Sequence, residues 1–409
     1  MSALPRHAIV PQDGTPGAIE VPAAHGRAAH DPASTQGARD PARPASTGVR
    51  ARAAAARDAH GTALVLLGTG VVGSALLRLL ATPAAAGLHL VGVAHSRAQH
   101  VNARGLVPLQ AARLLDATPS ARGDDTLLAA LEASGAANRI VVDATASDAV
   151  AARHADWLAR GHHVVSANKA VLGGSYAAFR DLRRAGASGN AIYGDAATVG
   201  AGLPVLSTLR RLRDCGDRLV ALEGVFSGTL SWLFNHYDGS RPFSHLVREA
   251  RTLGYTEPDP RIDLGGTDVA RKLLILARSA GHAIDTDDVV IESLVPDALR
   301  DVDVATFLIR LGEFDGALEA RRARAAAAGR VLRYLARVDD GGVARVGLAE
   351  VEPAHPAARL AGTDNLFALT TSRYRAQPLV ISGPGAGPEV TAQALLGDLL
   401  AIRGRAAHA

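Results

Sequence analysis

The segment A-L-V-L-L-G-T-G-V-V-G-S, residues 63–74, constrains the fold more than any other stretch of this chain. A short apolar run leads into G-x-G-x-x-G, with glycines at Gly68, Gly70 and Gly73, and then into A-L-L-R-L-L, a helical pattern. Glycines at this spacing permit a tight turn and let backbone N–H groups approach a pyrophosphate at a helix N-terminus. The motif alone is weak; the strand before it and the helix after it supply the context that dinucleotide binding requires. The alternation continues with strand-like L-H-L-V-G-V-A (88–94), R-I-V-V-D-A-T (139–145) and H-H-V-V-S-A (162–167), and with a helix expected over 148–160. Such alternation predicts a parallel sheet with helices on both faces.

After residue 200 the pattern changes. R-L-V-A-L-E-G-V-F (218–226) is strand-like and leads through S-G-T (227–229) into a helix at L-S-W-L-F-N-H. Helices are expected at 243–253 and 268–280, and strands at 331–338, 344–351 and 378–383. The expected fold class is therefore α/β: a Rossmann-type nucleotide-binding domain followed by a mixed α+β domain. Residues 1–58 are rich in Ala, Pro, Gly, Arg and His without apolar periodicity and read as a disordered extension. Asp13, Glu20, Asp31 and Asp40 argue against a transit peptide there, and no apolar core of a signal peptide is present. No apolar run is long enough to span a bilayer, which excludes a membrane partner. The single cysteine, Cys215, excludes an internal disulfide framework and a multi-cysteine metal site, and a cytoplasmic setting follows. The net charge is +4, but the arginines are dispersed and no aromatic-basic cluster stands out, so nucleic acid is not the expected partner.

One bias in composition bears on chemistry. Lys169 and Lys272 are the only lysines, which leaves 42 of the 44 basic residues as arginine. Arginine serves surface charge equally well but does not lose its proton in a protein, so lysine is retained where proton exchange or a compact ammonium is needed. Lys169 follows a strand in S-A-N-K-A. Lys272 closes L-G-Y-T-E-P-D-P-R-I-D-L-G-G-T-D-V-A-R-K (253–272), which also holds Glu257, Asp263 and Asp268. Asp268 and Lys272 are four apart on a helix and share a face. Reduction of an aldehyde by hydride transfer needs a proton for the forming alkoxide, which an ammonium supplies and the free amine takes back in reverse. Glu257 and Asp263 are candidates to bind a substrate ammonium.

Thr145, at the carboxyl end of its strand, is placed to face a nicotinamide, since ligands of such sheets bind beyond the strand ends. The second strand ends in His95, Ser96 and Arg97 rather than in the acid that holds the ribose hydroxyls of NAD, and Arg97 suits a 2′-phosphate. NADP(H) is expected to be preferred over NAD(H). Cys215, in R-L-R-D-C-G, has no histidine motif nearby and reads as a packed residue rather than the thiolate of an aldehyde dehydrogenase. The 15 histidines do not fall at metal-ligand spacing.

G-T-G-V-V-G-S, S-A-N-K-A, T-V-G-A-G-L-P, E-G-V-F-S-G-T-L-S-W-L-F-N and the 253–272 segment together resemble homoserine dehydrogenase, in that order, from about residue 62 to residue 403. The resemblance implies NAD(P)-dependent interconversion of L-homoserine and L-aspartate 4-semialdehyde. It implies Lys272 as proton donor, Lys169 beside nicotinamide and substrate, and Glu257 and Asp268 on substrate, with Asp263 in the same acidic cluster. Gly68, Thr69, Gly70, Val71, Val72 and Gly73, with Ser96, Arg97, Thr145, Gly254 and Gly387, fall on the cofactor side. The same resemblance implies a monovalent cation, Na⁺ or K⁺, held by carbonyls of Ala196, Val199, Ala201 and Leu203, although Ala196 stands where relatives commonly have glutamate. It implies a homodimer formed through the second domain, a nucleotide domain of 59–198 completed by 384–406, and a catalytic and dimerisation domain of 199–383. Only about 60 residues precede the glycine loop and the chain stops soon after G-D-L-L-A-I, so neither a kinase portion nor a C-terminal regulatory domain is expected, and threonine is expected to inhibit weakly or not at all.

Overall fold

The computed structural model describes residues 61–117 and 120–406; the extension expected over residues 1–58 lies outside the described residues. The first sheet comprises β1 (Thr62–Leu67), β2 (Leu88–Ala94), β3 (Ala98–Val101), β4 (Ser120–Ala121), β5 (Asn138–Asp143), β6 (His163–Ser166) and β7 (Tyr193–Gly194), in the order β4-β3-β2-β1-β5-β6-β7. The pairs from β2 through β1, β5 and β6 to β7 are parallel.

Two departures from the expected all-parallel sheet occur at one edge, where β3 runs antiparallel to β2 and β4 antiparallel to β3. Only three residues, His95 to Arg97, separate β2 from β3. A parallel return needs a crossover of a dozen residues or more, so this connection can only be a hairpin. The His95 ring closes it, its Nδ1 accepting from the N–H groups of Arg97 (3.1 Å) and Ala98 (3.2 Å). The helix expected over 148–160 is likewise two, Asp148–Ala151 and His154–Ala159.

Both faces of the first sheet are covered. Leu64 and Leu66 of β1 pack with Leu76, Ile140, Val142 and Leu395, while Ala63, Val65 and Leu67 pack with Leu128, Val141, Trp157 and Val164. Successive side chains of a strand point to opposite faces, so a continuous apolar run is the signature of a strand buried on both. The helix Pro388–Ala406 returns from the end of the chain to pack on the helix Val71–Leu80 and contributes Ala392, Leu395, Leu399 and Ile402 to that core.

The second sheet comprises β8 (Leu219–Val225), β9 (Val289–Ile291), β10 (Val331–Asp339), β11 (Ala344–Val351), β12 (Asp364–Thr371) and β13 (Leu379–Pro384), in the order β13-β12-β8-β10-β11-β9. All its pairs are antiparallel except β9 with β11. The helix Thr267–Ala280 packs on β10, β11 and β9 and buries Leu273, Leu274, Ile275 and Leu276. At about 1.5–3 kcal/mol for each fully buried side chain of this size, that face fixes the helix firmly. Its first two turns, carrying Asp268, Arg271 and Lys272, border a cleft.

Candidate active site

Strand register builds the floor of the cleft. Leu67 of β1 pairs with Ala94 of β2 and with Asp143 of β5, and Asp143 pairs with Ser166 of β6. The strands thus end level, and the turns after them share one edge: Gly68, the His95 hairpin, Ala144–Thr145 and Ala167–Lys169. A cleft of about 540 Å³ opens there, lined by Val72, Thr145, Lys169, Ala201, Glu257, Asp268, Lys272 and Gly387 among the residues anticipated from sequence.

The glycine loop has the shape a dinucleotide needs. Gly68 adopts φ +93°, and a Cβ there would stand 2.8 Å from Ala144 O. A Cβ on Gly73 would stand 1.9 Å from Gly68 O, so the helix sits directly on the turn. Gly70, the N-cap residue of the helix Val71–Leu80, has no atom within 4 Å of where its Cβ would be. The loop is tight behind and open in front, and a diphosphate fits the open side against the first N–H groups of the helix. Thr69 O accepts from Ser74 Oγ (2.9 Å), and Val71 is exposed.

Opposite the sheet edge stands the charged wall. Lys272 Nζ lies 2.8 Å from Asp268 Oδ2 and donates to Phe226 O, also at 2.8 Å. Lys169 Nζ lies 3.6 Å from Asp268 Oδ1, so one carboxylate is shared by the only two lysines. Partial withdrawal from water opposes the charge of Asp268, but the ammonium groups of Lys272 and Lys169 outweigh it and hold that carboxyl below the ordinary aspartate range. An ammonium has three donors; with two used on Asp268 and Phe226, Lys272 keeps one for a ligand.

Glu257 is an exposed residue of the cleft wall whose N–H donates to Asp263 Oδ2 (2.8 Å). Asp263 is not among the lining residues: its other oxygen accepts from Thr229 Oγ1 (2.9 Å), and burial pushes its carboxyl above the ordinary range, with the charge of Asp268 adding to the effect. Gly254 is exposed, at φ +76°, just beyond the helix Phe243–Thr252, and Ser96 and Arg97 are exposed on the β2–β3 hairpin; none of the three lines the cleft.

Of the four residues anticipated around a cation, Ala201 lines the cleft, while Ala196, Val199 and Leu203 do not. Gly200 (φ +73°) and Ala201 (φ +51°) form consecutive left-handed turns. The Val199 and Ala201 carbonyls accept no hydrogen bond among the described residues, whereas Leu203 O accepts from Val205 N (2.8 Å). Ala196 N donates to Asp398 Oδ2 (2.9 Å), and burial, together with the charge of Asp195, pushes the Asp398 carboxyl up to about 6. Among the described residues no group of three or more His, Cys, Asp or Glu side chains is arranged to hold a metal ion.

Several contributors escaped the sequence reading. Asn168 and Arg271 line the cleft. Asn168 Nδ2 donates to Ser147 O (3.0 Å) and its Oδ1 accepts from Ala170 N (3.0 Å), which shapes the turn carrying Lys169. Buried Arg278 donates to Leu172 O (2.7 Å) and Gly174 O (2.8 Å), which ties the helix of Lys272 to the loop of Lys169. Asp143, His154 and Tyr193 form a buried chain behind Thr145, with His154 Nε2 to Asp143 Oδ2 and His154 Nδ1 to Tyr193 Oη both 3.0 Å. Cys215 is exposed at the end of the helix Val205–Asp214 rather than packed, and lies outside the cleft. Among the described residues no helix is long and apolar enough to cross a membrane.

A glycine turn open to a diphosphate, level strand ends and a facing lysine–carboxylate cluster define a dinucleotide-binding α/β fold joined to a second α/β part. A family model described as homoserine dehydrogenase, NAD binding domain, matches residues 68–193, and one described as homoserine dehydrogenase matches residues 204–400. The homoserine dehydrogenase of Paracoccidioides brasiliensis is 40% identical over 70% of this chain and 80% of its own length. The chloroplastic bifunctional aspartokinase/homoserine dehydrogenase 1 of Zea mays is 42% identical over 83% of this chain; the chain spans 38% of that protein's length. A solved structure of a protein of unknown function from Candida auris has a TM-score of 0.80 at 34% identity, with 84% of this chain and 99% of that one covered. The chain belongs to the homoserine dehydrogenase family.

Proposed function

We propose that the chain interconverts L-homoserine and L-aspartate 4-semialdehyde at the cleft between the glycine loop and the helix Thr267–Ala280. The observation that carries this reading is the Lys272–Asp268–Lys169 cluster facing the sheet edge at which a nicotinamide would lie. The nucleotide, held by Gly68, Thr69, Gly70 and the first turn Val71–Gly73, supplies or takes up the hydride when bound. Thr145 borders the nicotinamide end. Lys272 gives its proton to the substrate oxygen as an aldehyde becomes an alcohol and recovers it from the alcohol in reverse. Asp268 aims the Lys272 ammonium, and Phe226 O fixes its second N–H. Lys169 binds beside substrate and nicotinamide. Glu257 takes the substrate α-ammonium, and Asp263 acts through Glu257 by holding its backbone. Residues 59–198 with 384–406 then form the nucleotide domain, with Gly387 at the cleft, and residues 199–383 form the catalytic domain, from which Gly254 contacts the cofactor.

Three further elements belong to this reading. Na⁺ or K⁺ sits on the carbonyls of the 196–203 loop, which the uncommitted Val199 and Ala201 oxygens support. The chain works as a homodimer in a cytoplasmic setting; the exposed strand residues Val290, Ile291, Val331 and Val380 are apolar surface that pairing of second domains would cover. NADP(H) is preferred, because the hairpin after β2 presents Arg97 to solvent with no acid in the ribose position.

The deciding experiment is NADP⁺ reduction by the purified chain with L-homoserine, in Na⁺, in K⁺ and with neither, against L-threonine, L-serine and no substrate. Homoserine-dependent formation of NADPH, faster with a cation, is expected. NADPH binding without turnover would overturn the reading, and indifference to both ions would remove the cation. For Arg97→Ala, KM for NADP⁺ should rise about thirtyfold, the scale of a charge-assisted phosphate contact, with KM for NAD⁺ nearly unchanged. Equal loss with both nucleotides would assign Arg97 to the protein surface.

A further inference from the structure

We propose that Arg271 binds the substrate α-carboxylate and so sets the specificity for an amino acid over a simple amino alcohol; this rests on the functional reading above. Lys169 and Lys272 both lie against Asp268 and face the reacting end of the substrate. Among the described residues, the side chains of Arg271 and Glu257 line the same cleft, and neither makes an ion pair or a side-chain hydrogen bond. Arg271 is therefore the one cation left over, with Glu257 and Asp148 as the carboxylates that make no ion pair, so the cleft offers both charges a zwitterion needs. Glu257 suits the ammonium, and the guanidinium, with its planar fork of donors, suits a carboxylate.

Placement supports the assignment. Asp268, Arg271 and Lys272 stand at i, i+3 and i+4 on one helix, so the three project on one face. The backbone of Arg271 is seated on the loop of Lys169: a Cβ on Gly173 would come within 2.9 Å of Arg271 Cβ and 3.1 Å of Arg271 O. The guanidinium thus starts from a fixed point between the two lysines' elements. The side chain is exposed, so replacing it leaves the core intact.

The test compares L-homoserine with L-homoserine carboxamide, which keeps the α-ammonium and the alcohol and lacks only the carboxylate charge. With the unaltered chain, KM for the carboxamide should exceed that for L-homoserine about thirtyfold, as expected for loss of a charge-assisted pair. Arg271→Gln should raise KM for L-homoserine by a similar factor, leave KM for the carboxamide within about threefold, and change kcat little, the signature of lost binding that is equal in ground and transition states. Arg271→Lys should recover part of the loss, since it keeps the charge without the fork. The dissociation constant for NADPH, followed by fluorescence, should not move. Equal loss for both substrates, or weakened NADPH binding, would overturn the assignment while leaving the dehydrogenase reading in place. An unaltered chain that oxidises neither compound would overturn both.

Discussion

Replacing Lys272 with alanine should lower kcat about a thousandfold, the middle of the range for removal of a positioned general acid, while NADPH binds within about threefold of its original affinity. The separation of the two readouts follows from placement. Lys272 is on the helix Thr267–Ala280, across the cleft from the glycine loop, and both of its observed partners, Asp268 and Phe226 O, belong to the second part of the fold. Neither partner belongs to the glycine loop that would hold the diphosphate. Lys272→Arg should be nearly as impaired as the alanine variant: it keeps the positive charge and fails only at giving up a proton. Recovery of more than a tenth of the activity by arginine would show that charge, and not proton transfer, is what the position supplies. Loss of NADPH binding with turnover intact would move Lys272 out of the catalytic role altogether. Lys169→Ala should fall between these limits, because its ammonium stands 3.6 Å from the shared carboxylate and is more exposed than that of Lys272, 32% against 13%.

How much of this was legible in the sequence depends on what each residue's role is made of. The glycine loop was legible because its chemistry is backbone geometry within six residues, and the buried strands β1, β2, β5 and β6 because runs such as A-L-V-L-L carry their own pattern. The two lysines stood out only because arginine replaces lysine everywhere else in this chain. The sheet edge β3–β4 was not legible, because its strands are four and two residues long and it is the short β2–β3 connection that reverses the chain. β12 was missed for another reason: D-N-L-F-A-L-T-T is buried through its middle without alternation, and a run of that length fits strand or helix alike. Within the cleft, Glu257 and Asp263 read as equivalent acids, separated by six residues in one loop. Their difference is tertiary: one faces the cleft, and the other is spent on a backbone N–H and a threonine hydroxyl from another helix. Arg278 shows the same limit. At its place in A-R-S-A it reads as one of 42 arginines, and only the folded chain brings the carbonyls of Leu172 and Gly174 to it across a hundred residues.

The chain of Asp143, His154 and Tyr193 is the clearest case of a role invisible in sequence, and it carries a large expected effect on stability. His154 and Asp143 are fully buried, and the two ring nitrogens of His154 are both engaged, one by the carboxylate and one by Tyr193 Oη. The other oxygen of Asp143 accepts from Thr145 N (2.8 Å), so the carboxylate that meets His154 also sets the turn at the nicotinamide end of the cleft. Burial, its largest influence, and the charges of Asp195 and Asp143 push the Tyr193 hydroxyl well above its ordinary range, so it remains a neutral partner. Replacing His154 with alanine strips Asp143 Oδ2 of its partner where no water reaches it. Leaving a buried acceptor without its partner costs about 1–3 kcal/mol, a sizeable share of the 5–15 kcal/mol that holds a typical domain together. Urea unfolding should show that loss, with KM for NADP⁺ raised as the Thr145 turn loosens. A double replacement, His154→Leu with Asp143→Asn, should cost clearly less than the sum of the two single changes, because both partners of one buried hydrogen bond are changed together. Strict additivity, or a loss below about 1 kcal/mol for His154→Ala, would mean that the three side chains fill space independently and that Thr145 is positioned by its strand alone.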